Sequence, residues 1–378
     1  MFPFLRGLLI ASLCAFALLS AISALAVRIF RPPNNADLSG QIGFLLGENC
    51  LASDCAYQIG VVQGQGYQVV PLPVEPLAFG WSNDGTRLAY IGRSVSAEAG
   101  ERASTLYIAD ADGTNSAPIT AIDFLDTLSW SPDGQHIAFS YTRNGDSGIY
   151  VIGRDGTKQR RLINGLVSMS PVWSPTGEWI MFQARGFQGQ QIYLVDPETS
   201  GILNLTGDSA YDYAPQWSPD GEQIMFLSRD RARTFSAGNP LTQAFIMDRR
   251  GRNIRQITRF AGNVFAAKWS PRGDLLAFYV AEARIDLPFA GNLYVLDLAH
   301  GLIRQLTDSI AANNIGDFEW SPDGTRLAYV LSPQQDSQIC VQALGGAANC
   351  VAEDAVRKSD VHWLTGVLLN LEAGSDGD

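Results

Sequence analysis

The chain has 378 residues and a formal net charge of -11, with 38 acidic side chains against 27 basic ones. That balance argues against non-specific binding of nucleic acid or of an anionic membrane. The length allows two ordinary domains or one large repeat ring. Eight Trp, 12 Tyr, 18 Phe and 37 Gly suit an all-β chain with many tight turns. Lys158, Lys268 and Lys358 are the only lysines, so the basic side chains are overwhelmingly Arg.

Residues 8–27 are an apolar run from Leu8 to Val27, with Arg6 before it and Arg28 and Arg31 after it. Twenty such residues can cross a bilayer as a helix. Residues 1–34 are therefore expected to be a transmembrane anchor and a linker that begins Arg31-Pro32-Pro33. The alternative is a cleaved secretory signal with Ala24-Leu25-Ala26 as its small-x-small site. Positive charge on both flanks leaves the orientation rule indecisive. Either reading places the rest of the chain outside the cytoplasm: membrane-anchored, or secreted or periplasmic if the leader is removed. Cys14 lies inside the run without a lipoprotein context.

Strands are expected over 41–46, 57–62 and 67–72, with a loop bounded by Cys50 and Cys55 after the first. The four later cysteines, Cys50, Cys55, Cys340 and Cys350, are an even set beyond an export segment, which predicts disulfides. Pairing 50 with 55 and 340 with 350 is the simplest of three connectivities. No His lies near them to complete a metal site.

From residue 77 onward one motif recurs. WSPDGEQIMF at Trp217 has copies at Trp81, Trp130, Trp173, Trp269 and Trp320, and an eroded one at Trp363. The steps between the first six tryptophans are 49, 43, 44, 52 and 51 residues. In each copy a short strand ends at Trp, Pro fixes φ in a turn, Asp accepts local backbone bonds and Gly tolerates positive φ. Two further strands follow, split by turns such as Ala111-Asp112-Gly113-Thr114 and Asp155-Gly156. Four strands at this period predict β-propeller blades. The tryptophans are then structural.

Six full blades are expected over about 77–355. The strands at 41–72 lack a first strand, and 361–371 supplies strands without a blade. Together they are expected to close the ring as a seventh, composite blade. Six blades with those segments packed elsewhere is the alternative. The propeller thus occupies 35–371, and 372–378 is a polar tail. Closure matters because an open ring exposes strand edges.

WSPDG-x-x-(I/L)-x-(F/Y) is followed by Leu106-Tyr107-Ile108-Ala109-Asp110, Ile192-Tyr193-Leu194-Val195-Asp196 and Leu293-Tyr294-Val295-Leu296-Asp297, and by Arg255-Gln256-Ile257-Thr258 and Arg304-Gln305-Leu306-Thr307. This combination resembles the TolB-like, WD40-like (PD40) propeller repeat family over roughly 77–355. The resemblance implies a propeller. It leaves function open, because the repeat also occurs in scaffolds, in peptidase propeller domains and in some lyases.

Catalytic signatures are few. His136, His300 and His362 fall in different blades, and no G-x-S-x-G elbow, P-loop or dinucleotide fingerprint occurs. Asp133, Asp220 and Asp323 are expected to form turns, and Asp110, Asp196, Asp248 and Asp297 to cap them. No cofactor or metal is expected. In a propeller the Trp turns and Asp-Gly turns share one face, and the longer connections 92–104, 228–242 and 280–291 share the other. Recognition tends to reside on long loops carried by a rigid scaffold. The expected ligand or partner face is Tyr211, Tyr213, Arg229, Arg231, Arg233, Phe235, Phe265, Arg284, Asp286 and Phe289. Exposed Tyr, Arg and Phe suit a protein hotspot or a glycan platform. The expected function is therefore a non-enzymatic protein-binding or scaffold module of the cell envelope. The alternatives are a carbohydrate-binding or carbohydrate-active protein, of lyase or glycosidase type with carboxylates at the channel mouth, and a purely structural domain.

Overall fold

The turn after Trp217 shows why the chain doubles back at each repeat. The Ser218 amide donates to the Gln223 carbonyl, and the Gly221 amide donates to the Ser218 carbonyl. The Ser218 hydroxyl donates to Asp220 Oδ1 at 2.6 Å and accepts from the Gln223 amide at 2.9 Å. Asp220 Oδ1 also takes the Glu222 amide. Gly221 sits at φ 72°, where a Cβ is strained. Ser82 with Asp84, Ser131 with Asp133 and Ser321 with Asp323 repeat the pattern. The serine hydroxyl is the main cause that holds these carboxyls below the usual aspartate range, with Asp84 and Asp323 lowered to about 2.

In the computed structural model seven four-stranded antiparallel sheets surround a central axis, forming a seven-bladed β-propeller. The structure describes residues 42–363 except 52–53, 64–65, 96–101, 123–126, 144–145, 165–167, 186–188, 208–209, 232–234, 237–238, 282–290, 309–312, 334–336 and 355–356. Blades 1 to 6 span 75–122, 128–161, 168–204, 212–256, 263–305 and 313–354. Blade 7 is composite: Arg357–Trp363 is its first strand and pairs with Ile42–Leu51, followed by Asp54–Gln63 and Gly66–Val69. This settles seven blades over six. Residues 366–371, the tail and the apolar run 8–27 lie outside the described residues. No helix among the described residues is long and apolar enough to cross a membrane.

The two ends of the repeat motif meet inside each blade. The motif's last aromatic, on the second strand, lies opposite the aromatic of the third: Tyr90 and Tyr107, Phe139 and Tyr150, Phe182 and Tyr193, Phe226 and Phe245, Phe278 and Tyr294. Four of these pairs stack, with ring centroids 5.1–5.8 Å apart. Such cross-strand pairs stabilise a sheet from within. The blade faces then pack on their neighbours in seven apolar clusters, one per interface. Trp130 and Trp320 lock successive inner strands, since their indole N–H groups donate across the interface to the carbonyls of Gly80 and Lys268. Trp81 instead donates to Ala111 of its own blade. Trp173, Trp217 and Trp269 are in the same inner-strand position with no indole partner.

Four local expectations change. The connection 92–104 is mostly strand: Arg87–Val95 and Arg102–Asp110 remain paired as far as Val95 and Arg102. Between 228 and 242 a small hairpin forms from Phe235–Ser236 and Asn239–Pro240. The loop bounded by Cys50 and Cys55 is the end of a strand ladder that continues to Leu51 and Asp54. In each case the segment lacks the repeat's apolar alternation, so its composition resembles a loop. The expected strand 67–72 stops at Val69, because Pro71 and Pro73 have no N–H to donate. Cys340 and Cys350 lie directly opposite on neighbouring strands of blade 6 and form a disulfide. The Cys50 and Cys55 side chains lie outside the described residues.

Candidate functional site

Antiparallel order assigns the two faces. Each first strand runs into a Trp turn and each third strand into an Asp-Gly turn, so both sets of turns share one face. The second-to-third connections and the links between blades share the other, here called the loop face. On the loop-face half, every first strand except the short Leu128–Trp130 carries a bulge. Bulges re-aim side chains and backbone groups near sites. In blades 3 and 4 the bulges hold Ser170 and Ala214, each followed by Pro, at φ 54° and 49°. These are uncommon values for residues with a Cβ.

A polar cluster fixes these bulges. The Ala214 amide donates to Gln183 Oε1 at 2.9 Å, and Gln190 Nε2 donates to the same oxygen at 3.1 Å. The Tyr211 hydroxyl donates to Gln190 Oε1 at 3.0 Å, and its amide donates to Asp230 Oδ2 at 2.8 Å. Arg229 lies 3.6 Å from Asp230. Tyr211 packs edge-on against Tyr213, with centroids 5.5 Å apart, and stays 40% exposed. Burial pushes the Tyr213 phenol up. The Tyr213 hydroxyl donates to Thr242, whose amide donates to Asn263, so the cluster runs across the interface into blade 5. There Phe265, at the bulge, is 45% exposed beside Tyr279.

The expected face is thus divided. Tyr211, Arg229 and Phe265 are presented to solvent, and Tyr213 is half-buried beneath them. Arg231 turns inward: its Nε lies 2.9 and 3.0 Å from the two Asp212 oxygens, and its Nη2 lies 2.7 Å from the Thr206 carbonyl. Asp212 is 0% exposed. Arg231 therefore pins the start of blade 4 to the end of blade 3. Arg233, Arg284, Asp286 and Phe289, and the side chain of Phe235, lie outside the described residues. Gln183, Gln190, Asp212 and Asp230 were not picked out by sequence reasoning. Asp212 alone left a signal, because the equivalent first-strand positions hold Val264 and Ile315.

Carboxylates also meet on the inner strands of blades 5 and 6. Lys268 Nζ lies 3.1 Å from Asp317 and 3.0 Å from Glu319. Burial acts to lower the pKa of Lys268, but Glu319 and Asp317 outweigh it and the net shift is upward. Both carboxylates therefore flank a held cation rather than form a free acid–base pair. Among the described residues no group of three or more His, Cys, Asp or Glu is arranged to hold a metal. His136 begins a second strand. His300 bonds Asp297 at 2.8 Å in a turn. His362 lies on the first strand of blade 7.

Known proteins share this architecture. A family model described as the TolB beta propeller domain (PD40) matches residues 78–285, more than half of the chain. The Tol-Pal system protein TolB of Hydrogenovibrio crunogenus is 42% identical over 79 residues, 21% of this chain and 18% of that protein. The uncharacterized peptidase YuxL of Bacillus subtilis is 33% identical over 115 residues, 30% of this chain and again 18% of the relative. The chain thus spans about a fifth of the length of these relatives. The β-propeller domain of the trilobed protease from Pyrococcus furiosus superposes with a TM-score of 0.63 at 14% identity, covering 84% of this chain and 96% of that one. That likeness concerns the fold alone. Repeat, ring and profile agree, and the chain belongs to the TolB β-propeller domain family.

Proposed function

We propose that this protein is an extracytoplasmic, membrane-tethered propeller of the cell envelope that binds a partner protein on the loop face of blades 3 to 5. The observation that carries this reading is the presentation of Tyr211 and Phe265. Two aromatic side chains stand in solvent on adjacent blades, Tyr211 just before and Phe265 on a bulge-bearing first strand, with Arg229 beside Tyr211. The hydrogen bonds that Tyr211 donates to Gln190 and Asp230, with the Arg231–Asp212 clamp, hold the site in place, so little ordering entropy is lost on binding. Aromatic and Arg side chains dominate protein hotspots. Export is supported by the Cys340–Cys350 disulfide and by the apolar run 8–27. Kinship with Tol-Pal system proteins supports a cell-envelope setting.

The test is capture of partners from the native envelope fraction by wild type, Tyr211→Ala, Phe265→Ala and an Arg87→Ala control on the opposite face. The reading expects one specific partner, reduced roughly tenfold by each loop-face variant and unchanged by the control. Equal capture by all four proteins would defeat it.

A further inference from the structure

The turn face carries a feature that runs against the charge of the whole chain. The turn of blade 4 reads Asp248-Arg249-Arg250-Gly251-Arg252-Asn253-Ile254-Arg255, four arginines in a protein of net charge -11. Two are engaged within the protein. Arg249 reaches Glu178 at 3.2 Å and Glu222 at 3.6 Å, which fixes this turn beside the Trp turns of blades 3 and 4. Arg252 pairs with Asp248 at 3.0 Å. The side chains of Arg250 and Arg255 are exposed and have no protein partner among the described residues.

Aliphatic side chains flank this turn. Ile202 is 52% exposed and Leu203 39% on the outer strand of blade 3; Leu302 is 68% exposed and Ile303 45% on that of blade 5. Register puts them at the turn-face end. Ile202 lies opposite Val195, itself opposite Ile180 just after the blade 3 turn. Leu302 lies opposite Asp297, itself opposite Leu275 just after the blade 5 turn. The rim therefore alternates apolar, basic, apolar across three blades.

Both ends of the ring leave on this same face. Ile42 pairs with Trp363. A Cβ added at Gly43 would meet the ring of Trp81, the residue that precedes the first blade's turn. The residues between the apolar run and Ile42, 28–41, reach at most roughly 50 Å when extended. We infer that the arginine turn of blade 4 and its aliphatic flanks dock on the anionic headgroups of the membrane that holds residues 8–27, turning Tyr211 and Phe265 away from the bilayer. This rests on the tethering proposed above.

Two free guanidiniums form a weak site by themselves. Asp196 and Glu198 in the blade 3 turn and Asp297 in the blade 5 turn put negative charge on both sides of it, so the contact stays local. A tether of this length supplies a high effective concentration, which makes a weak contact sufficient. Arginine offers the headgroup phosphate bidentate bonds, and Leu and Ile enter the interfacial layer.

The test uses the full chain in phosphatidylcholine vesicles with and without phosphatidylglycerol bearing a photoreactive headgroup, followed by peptide mapping. The expected label falls on 249–255, 202–203 and 302–303. Arg250→Glu with Arg255→Glu lowers it roughly tenfold while thermal unfolding and partner capture stay unchanged. Label on the loop face, or label indifferent to the charge reversal, overturns the inference. So does a variant that loses partner capture with its lipid label intact, because the patch would then serve an acidic protein. Carbonate extraction reads tethering separately. A protein that washes off the vesicles refutes the tether and leaves the loop-face reading to its own test.

Discussion

Arg231 and Asp212 show how one pairing decides whether an arginine recognises a partner or holds the fold. In sequence Arg229, Arg231 and Arg233 are equivalent. Only the fully buried carboxylate of Asp212, across the strand pair, assigns Arg231 to the interior. Removing one partner of a buried pair leaves an uncompensated charge. Arg231→Ala is therefore expected to destabilise by about 3–5 kcal/mol, whereas Arg229→Ala changes stability by less than about 1 kcal/mol; urea unfolding of both variants checks this. The turn aspartates give a pH dependence of known sign. Asp84 and Asp323 fall from an ordinary 3.8 to about 2 in the folded chain. Their contribution is complete above pH 3.8 and is lost as pH falls through about 2. The double variant Asp84→Asn, Asp323→Asn should flatten the acid limb of a stability–pH curve in that window; an unchanged limb would show that the turns do not contribute. These turn roles were legible in sequence, since Ser, Asp and Gly act on residues within five positions. The direction of Arg231 was not, since it depends on a residue 19 positions away.

At the scale of elements, strands with the repeat's apolar alternation were legible, and their ends were not. The first two strands of blade 1 follow the motif, yet its second and third strands run on past Gly92 as a polar ladder whose residues resemble a loop. Cross-strand aromatic pairs explain the robustness of the central part. Phe226, fully buried and stacked on Phe245, is expected to cost about 3–5 kcal/mol as Phe226→Ala. The disulfide of blade 6 closes a short loop of sequence separation 10. Cys340→Ser with Cys350→Ser should cost about 2–3 kcal/mol in the chain-entropy account. Reductant should lower the melting temperature of wild type by more than that of the double variant. A wild-type melting temperature indifferent to reductant would contradict this role. The bulges of blades 3 and 4 had no signal beyond Ser170-Pro171 and Ala214-Pro215, and the polar cluster around Gln183 and Gln190 had none.

For the whole molecule, ring closure was legible because both ends were incomplete: strands at the beginning without a first strand, a tryptophan near the end without a blade. The hydrogen-bonded pairing of Ile42–Leu51 with Arg357–Trp363 joins them. Lys358 and Ser359 face Leu46 and Leu45, and neighbouring N–H groups in a strand point opposite ways. One of two prolines placed at 358 and 359 must therefore remove a ladder bond. That variant should unfold with non-coincident transitions by fluorescence and circular dichroism and associate through its open edge; a single coincident transition would contradict closure by this strand. The closed ring sets the loop face and the turn face apart, and the central functional claim is that the loop face of blades 3 to 5 meets the partner. Hydrogen–deuterium exchange of the protein with and without its captured partner tests that claim most directly. The account predicts protection confined to the segments around Gln190, Tyr211 to Tyr213, Arg229 to Arg231 and Asn263 to Phe265. Protection of the Trp turns and the arginine turn, with the loop face unchanged, would contradict it.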